Sequence, residues 1–359
     1  MKHFLTALCT LLFWVQGIHS TVLTTRIDER IELASYLSRY VGFDRDLPID
    51  GYYFNYVDRQ FVSHTKGLLL SDNIYYFMAS GYEIDRELLL SAALTWKIDS
   101  GHIVQDADKT NRMRQTWPAK EYDALMGFID QFYRQTRFGE FFTAQKPLYD
   151  KAKELYDSMA LSGFHTGFLD SITSAPADSI TLYISLLSYK GNIPLLASDA
   201  VVVNGFMIHQ PPKPENVGFS PDALWIDGLS GDDVIYPLLC SLSELILYGG
   251  ADTQRTISRT AMEYYKSAMY LFDRAHVSPE DIIPRQMSQL AALAYLEMYH
   301  ADILDFAIIG DTRRGFFWEN ELYRRMKKLR SADNFAGKPF KEIIDCLLYE
   351  LKTLTGTLL

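Results

Sequence analysis

Apolar residues recur at helical spacing through the first part of the chain. Ile27, Ile31, Leu33, Ala34, Leu37 and Val41 fall on one face. Tyr122, Leu125, Met126, Ile129, Phe132 and Tyr133 mark a second, and Leu148, Ala152, Leu155 and Tyr156 a third. Pro48, Gly51, Gly81, Gly101 and Pro118 punctuate the segments between. This pattern predicts a helical part over residues 21–161. The periodicity changes over 162–231. Residues 180–187 (ITLYISLL) and 200–208 (AVVVNGFMI) are short β-branched runs bounded by turn residues, and they predict strands. Residues 188–194 (SYKGNIP) read as a turn between them, and Leu224, Trp225 and Ile226 as a third short strand. The prolines of 210–214 (QPPKP) place a loop, because consecutive prolines cannot donate to a sheet.

Helical spacing returns afterwards. Asp232 or Asp233 is placed to cap a helix running to about Tyr248, where Gly249 and Gly250 stop it. Further helices are predicted over 258–273, from Ser278, over 284–300, 319–329 and 340–354, with 306–309 as a short strand. The fold class is α+β and mostly helical: a small central sheet, a central helix after it, and a helical C-terminal part. Residues 162–359 are expected to form one compact unit with the N-terminal part.

The first twenty residues fall outside this pattern. Lys2 precedes a nearly unbroken apolar run, 4–15 (FLTALCTLLFWV), and small residues follow. That layout predicts a secretory signal peptide, cleaved after Gly17 or Ser20. Cys9 follows Leu8 and not a small residue, which argues against a lipoprotein anchor. No later segment reaches the ~20 apolar residues of a membrane helix. The mature protein is therefore expected to be exported, to the periplasm or beyond, without a membrane span.

Composition narrows the classes. With 48% hydrophobic and 22% charged residues the chain is globular in character. A net charge of −10, from 35 basic and 45 acidic residues, argues against nucleic acid as a partner. Aromatic residues make up 14% of the chain, which suits a peptide- or sugar-contacting surface and a packed helical core alike. Beyond Cys9 only Cys240 and Cys346 remain, too few for a disulfide scaffold; each sits among apolar helical residues and is expected to be a free thiol.

The chemistry concentrates on 233–250 (DVIYPLLCSLSELILYGG), a helix apolar nearly all round and so expected to be central. Cys240 and Glu244 lie four apart and share a face. That is the spacing of the two zinc-binding histidines of HExxH, whose intervening Glu is the general base. The chain resembles a family of exported bacterial proteins known mainly as a domain of unknown function. Many of its members look like zincin-type metallopeptidases, with an HExxH helix following a small sheet. The resemblance is carried by RIELASYLSRYVGF from Arg30, VDRQF from Val57 with His64 soon after, and FYRQTRFGEFFTAQKPLYDKAKELY from Phe132. The Gly191–Asn192 turn and YPLLCSLSEL from Tyr236 complete it, while the C-terminal third matches only loosely.

The resemblance implies that Cys240 stands at the first ligand position, Ser241 at the general base and Glu244 at the second ligand. Thiolate and carboxylate both ligate zinc. A serine hydroxyl has neither the pKa nor the charge to take a proton from zinc-bound water. The site therefore reads as degenerate, with no catalytic residue, metal or other cofactor expected. Were zinc present, Cys240, Glu244 and Glu263 on the following helix would be the metal candidates, with His209 or His300 as a fourth. Other constellations are incomplete. Glu297 and His300 form one ExxH where di-metal bundles need two and two more Glu. Asp99, Asp106 and Asp108 lack the Gly and closing Glu of a calcium loop. Ser241 lies in no nucleophile elbow, and no P-loop or dinucleotide fingerprint occurs.

Three functions are compatible with these residues. The first is a pseudo-metallopeptidase that binds a peptide or other polymer in its residual cleft. The second is an active metallopeptidase with an atypical Cys/Glu zinc site. The third is a non-enzymatic secreted interaction scaffold.

Overall fold

The computed structural model describes residues 21–40, 56–68, 86–109, 115, 118–174, 177–188, 192–195, 198–204, 231–249, 282–313, 316, 319–335 and 337–347. The signal peptide expected over the first twenty residues, the strand expected at 224–226 and the helices expected over 258–273 and from Ser278 lie outside the described residues.

The first element is a strand, β1 (Val22–Arg26), in a stretch whose polar threonines hide it. Asp28 then opens α1 (Glu29–Tyr40): its carboxylate accepts the Arg30 amide at 3.0 Å, satisfying a donor that the helix leaves open. The same carboxylate holds the Arg30 side chain, whose Nη1 donates to the Trp96 carbonyl at 2.6 Å. Every described side chain from Ile31 to Ser38 is buried, so α1 runs through the interior with its polar residues inside too.

Around α1 pack α2 (Tyr56–Thr65), α3 (Arg86–Ala93), α4 (Ala119–Gln135), α5 (Phe138–Ala144) and α6 (Lys146–Tyr156). Phe61 of α2 meets Tyr36 at 4.3 Å, Phe141 at 4.9 Å and Phe138 at 5.5 Å between ring centroids. These four rings are buried, so this part of the aromatic content is core. A π-helical turn (Asp157–Leu161) and the short α7 (Gly167–Asp170) lead back to the sheet. Between α3 and α4 a two-stranded hairpin forms from β2 (Trp96–Asp99) and β3 (His102–Gln105). Ser100 and Gly101, at φ 50° and 80°, make its tight turn.

The main sheet has the order β1, β4 (Ser179–Ser185), β6 (Ala200–Asn204), β5 (Ile193–Leu195). β4 is parallel to both β1 and β6, with Val22 opposite Ser179 and Thr181 opposite Ala200. β5 runs antiparallel along the outer side of β6. The two predicted central strands are thus in place, and Val201, Val202 and Val203 are buried on both faces, as parallel strands require. The sheet is not confined to the middle stretch, since β1 comes from the N-terminal part. β5 falls where a turn was expected. It is three residues long and contains Pro194, which suits only an outer strand.

The helix α8 (Gly231–Tyr248) follows the sheet and packs on α9 (Ile282–Tyr299), on β5 and β6 and on the π-helical turn. α10 (Leu304–Arg313) and α11 (Glu319–Arg330) come next, and residues 340–347 are again helical. The strand expected over 306–309 is helical: four apolar residues carry no period of their own, and the ten-residue frame of α10 decides. The buried apolar residues of all these parts join in one core. Among the described residues no helix is long and apolar enough to cross a membrane.

Candidate functional site

α8 buries Ile235, Leu238, Leu239, Leu242, Leu245 and Leu247, as its composition predicts. A polar stripe runs along it nonetheless: Tyr236, Cys240, Glu244 and Tyr248, each four residues from the last. Cys240 and Glu244 do share a face and are half-buried. Ser241 lies beside the stripe, 7% exposed, and its hydroxyl donates to the Pro237 carbonyl at 3.2 Å. The serine that the resemblance sets at the general-base position is therefore bonded back onto its own helix, a common resting state for helical serine.

One end of the stripe enters a buried polar cluster. The Tyr236 hydroxyl donates to Oδ2 of Asp311, and Nε2 of Gln289 donates to Oδ1 at 3.0 Å. Gln286 donates through Nε2 to Oε2 of Glu319. Asp311 and Glu319 are wholly buried, so four helices, α8 to α11, contribute to one centre shielded from water. Burial holds the Tyr236 phenol far above its ordinary acidity range, and the neighbouring Cys240, Asp311 and Glu319 push the same way. Tyr236 thus stays a proton donor toward Asp311. At the other end, burial raises Tyr248, with Glu244 and Asp345 adding to the effect.

A third buried carboxyl sits where β4 ends. Glu32 of α1 is fully buried and accepts from the Leu186 amide at 2.9 Å and the Tyr149 hydroxyl at 3.2 Å. Burial raises it to about 8 against the opposing pull of Ser185, Leu186, Tyr149 and Leu187.

The remaining sequence candidates are dispersed. Glu263 and His209 lie outside the described residues. His300 stacks on Tyr295, with 5.8 Å between centroids. Glu297 pairs with Lys327 at 2.5 Å; burial pushes its pKa up, but Lys327, Tyr323 and Arg330 outweigh that and hold it below the usual carboxylate range. Cys240 and Cys346 are not joined to each other. Asp106 caps the Asp108 amide at 3.2 Å beside the hairpin. Among the described residues no three His, Cys, Asp or Glu gather as a metal site. Among the described residues Cys240 and Glu244 give two of the three protein ligands that a catalytic zinc takes, and Glu263 and His209 lie outside them.

Sequence reading passed over Glu32, Tyr236, Gln286, Gln289, Asp311 and Glu319. A signal existed for two kinds of them. Glu32 is bracketed by Ile31 and Leu33, and Gln286 and Gln289 stand three apart in a mostly apolar helix. A polar residue at an apolar position requires an internal partner. No protein-family model, curated protein or solved structure matches the chain.

Proposed function

We propose that the protein is an exported, zincin-like protein without peptidase activity, which binds a peptide or other polymer in the cleft beside the sheet. Ser241 carries this reading: at the position where a metallopeptidase needs a carboxylate facing the metal, its hydroxyl is buried and bonded to Pro237. The order of elements supports the zincin-like part, since α8 follows a small sheet, as the resemblance implies. The leucines of α8 and the Tyr236–Asp311 bond anchor the helix in the core, which supports a scaffold that stands without a catalytic site.

Elemental analysis of the purified mature protein, dialysed without chelator, tests the reading alongside a peptidase assay and binding to a mixed peptide pool. The expected result is sub-stoichiometric zinc, no metal-dependent cleavage and retained peptide binding. About one zinc per chain, lost in Cys240→Ala, would establish the active Cys/Glu site instead. Export is tested by intact mass from the native host, which should lack about twenty N-terminal residues.

A further inference from the structure

A separate concavity lies away from the α8 stripe, where the C-terminal ends of α9 and α11 meet α7 and the helical residues 340–347. Its volume is about 390 Å³. Two backbone bonds fix one wall: the Phe340 amide donates to the Ser171 carbonyl at 2.9 Å and the Lys341 amide to Ile172 at 2.8 Å. Phe168, Tyr299, Phe335 and Phe340 line it. Tyr299 is held flat by stacking on His165 at 4.0 Å and 14°, yet it remains 41% exposed. Met298 beside it is 44% exposed. The rim therefore offers rigid apolar surface whose burial by a ligand is favourable at little cost in ordering.

Two cations face the same space, Arg330 and Lys338. The nearest carboxylate is already engaged: Glu297 takes Lys327 at 2.5 Å and stands 3.8 Å from Nη1 of Arg330. Nη2 of Arg330 meets the Met298 sulfur at 3.7 Å, a weak acceptor. Lys338 pairs with Glu342 at 2.7 Å in an exposed i,i+4 pair and stands 5.6 Å from the Phe335 ring centre. Arg330 thus keeps a long ion pair to Glu297, which Lys327 holds more closely, and a weak sulfur acceptor; a planar guanidinium so loosely engaged, set among aromatic rings, is the chemistry that takes a carboxylate in fork geometry.

We propose that this pocket binds a carboxylate attached to a flat apolar body, with Arg330 holding the carboxylate and Tyr299, Phe335 and Phe168 enclosing the body. The volume suits one aromatic side chain and not a folded partner. A free aromatic acid and the C-terminus of a peptide ending in Phe present the same chemistry. The proposal does not depend on the reading of α8.

The test is calorimetric or NMR titration of the full mature chain with four probes: phenylacetate, phenylacetamide, acetyl-Gly-Gly-Phe, and its C-terminal amide. Each acid should bind at least about tenfold tighter than its amide, the worth of one charge-assisted hydrogen bond. Arg330→Gln should abolish that preference, and Tyr299→Ala should weaken acid and amide alike. A tighter peptide acid assigns the site to peptide C-termini; equal affinities assign it to free acids. Acid and amide binding equally, a preference that survives Arg330→Gln, or no binding of any probe overturns the proposal. Arg330 is on the surface, and circular dichroism checks that its variant folds.

Discussion

The backbone amide of Leu186 donates to Oε1 of Glu32 at 2.9 Å, joining α1 to the end of β4 across 154 residues of chain. The other oxygen of the carboxyl accepts the Tyr149 hydroxyl of α6. One buried side chain thus holds a helix, the sheet and a second helix in register. The groups facing it are uncharged donors: Tyr149, Ser185, and the amides of Leu186 and Leu187. Hydrogen bonds without a cation leave desolvation dominant, which is why the carboxyl is raised to about 8.

Glu32 makes stability depend on pH in a definite direction. Its native pKa lies above the unfolded value of 4.5, so the native state binds the proton more tightly. Its contribution is fully present below 4.5, falls as pH rises toward 8, and is gone above that. The change amounts to a few kcal/mol. Glu32→Gln keeps an acceptor for Leu186 and cannot ionise. Thermal melts from pH 5 to 8.5 should show the wild-type midpoint falling and the Gln variant nearly flat. Parallel curves would show that Glu32 does not titrate in this window.

Gly139 permits the bond between Tyr133 and Glu29. A Cβ at 139 would stand 2.5 Å from the Tyr133 hydroxyl oxygen and 3.0 Å from Oε1 of Glu29, the two atoms bonded at 2.7 Å. Overpacking of about 1–3 kcal/mol outweighs the gain of under about 1 kcal/mol from replacing a helical glycine. Gly139→Ala should therefore destabilise. In a Tyr133→Phe background the closer crowding atom is gone and Oε1 of Glu29 is no longer held by it, so the same change should cost much less. Urea denaturation of the four proteins measures this coupling, and additive effects would refute the steric account.

The long periodic segments were legible in the sequence because burial there follows simple repeats. α4, α6, α8 and α9 lie where the apolar positions place them, and β4 and β6 where β-branched runs do. β1, β5 and the β2–β3 hairpin were not legible. Each strand is three to five residues long: β1 is held by β4, whose Ser179 faces Val22 from the far side of the N-terminal helices, and β5, β2 and β3 pair locally but are too short to show an alternation of their own. The candidate site divides in the same way. The Cys240–Glu244 face follows from helical geometry. The Asp311–Glu319 cluster depends on four helices meeting, and Asp311 was hidden by reading its helix as a strand.

The hairpin turn offers a stabilising change. Ser100 takes φ 50°, a conformation that L-residues other than Asn and Asp adopt only with strain. Gly101 follows at φ 80°, completing a turn in which both central residues are left-handed. Ser100→Asn should gain about 0.5–1 kcal/mol in chemical denaturation. Ser100→Val should lose a similar amount or more. The reverse order would mean that the turn differs in solution.

The last expectation tests the proposed function by placing a carboxylate at position 241. Leu238, Leu242 and Leu245 surround this position on α8 and are buried, and the serine hydroxyl is bonded to Pro237. A glutamate introduced there would lose that bond and bring a carboxylate among leucines. Ser241→Glu should destabilise by at least about 2 kcal/mol at neutral pH. The penalty should shrink toward pH 4, because burial raises the new carboxyl and the proton it then carries removes the charge. The variant should show no zinc-dependent cleavage, since Cys240 and Glu244 still stand at the ligand positions; a thiolate and a carboxylate would also place more negative charge on a metal and weaken its effect on bound water. The informative reconstruction changes Cys240→His, Ser241→Glu and Glu244→His together. Urea midpoints at pH 7 and 4, with a peptidase assay in added zinc, decide the matter. A Ser241→Glu protein of wild-type stability that cleaves peptides with zinc would place position 241 in an open cleft and α8 in a working active site.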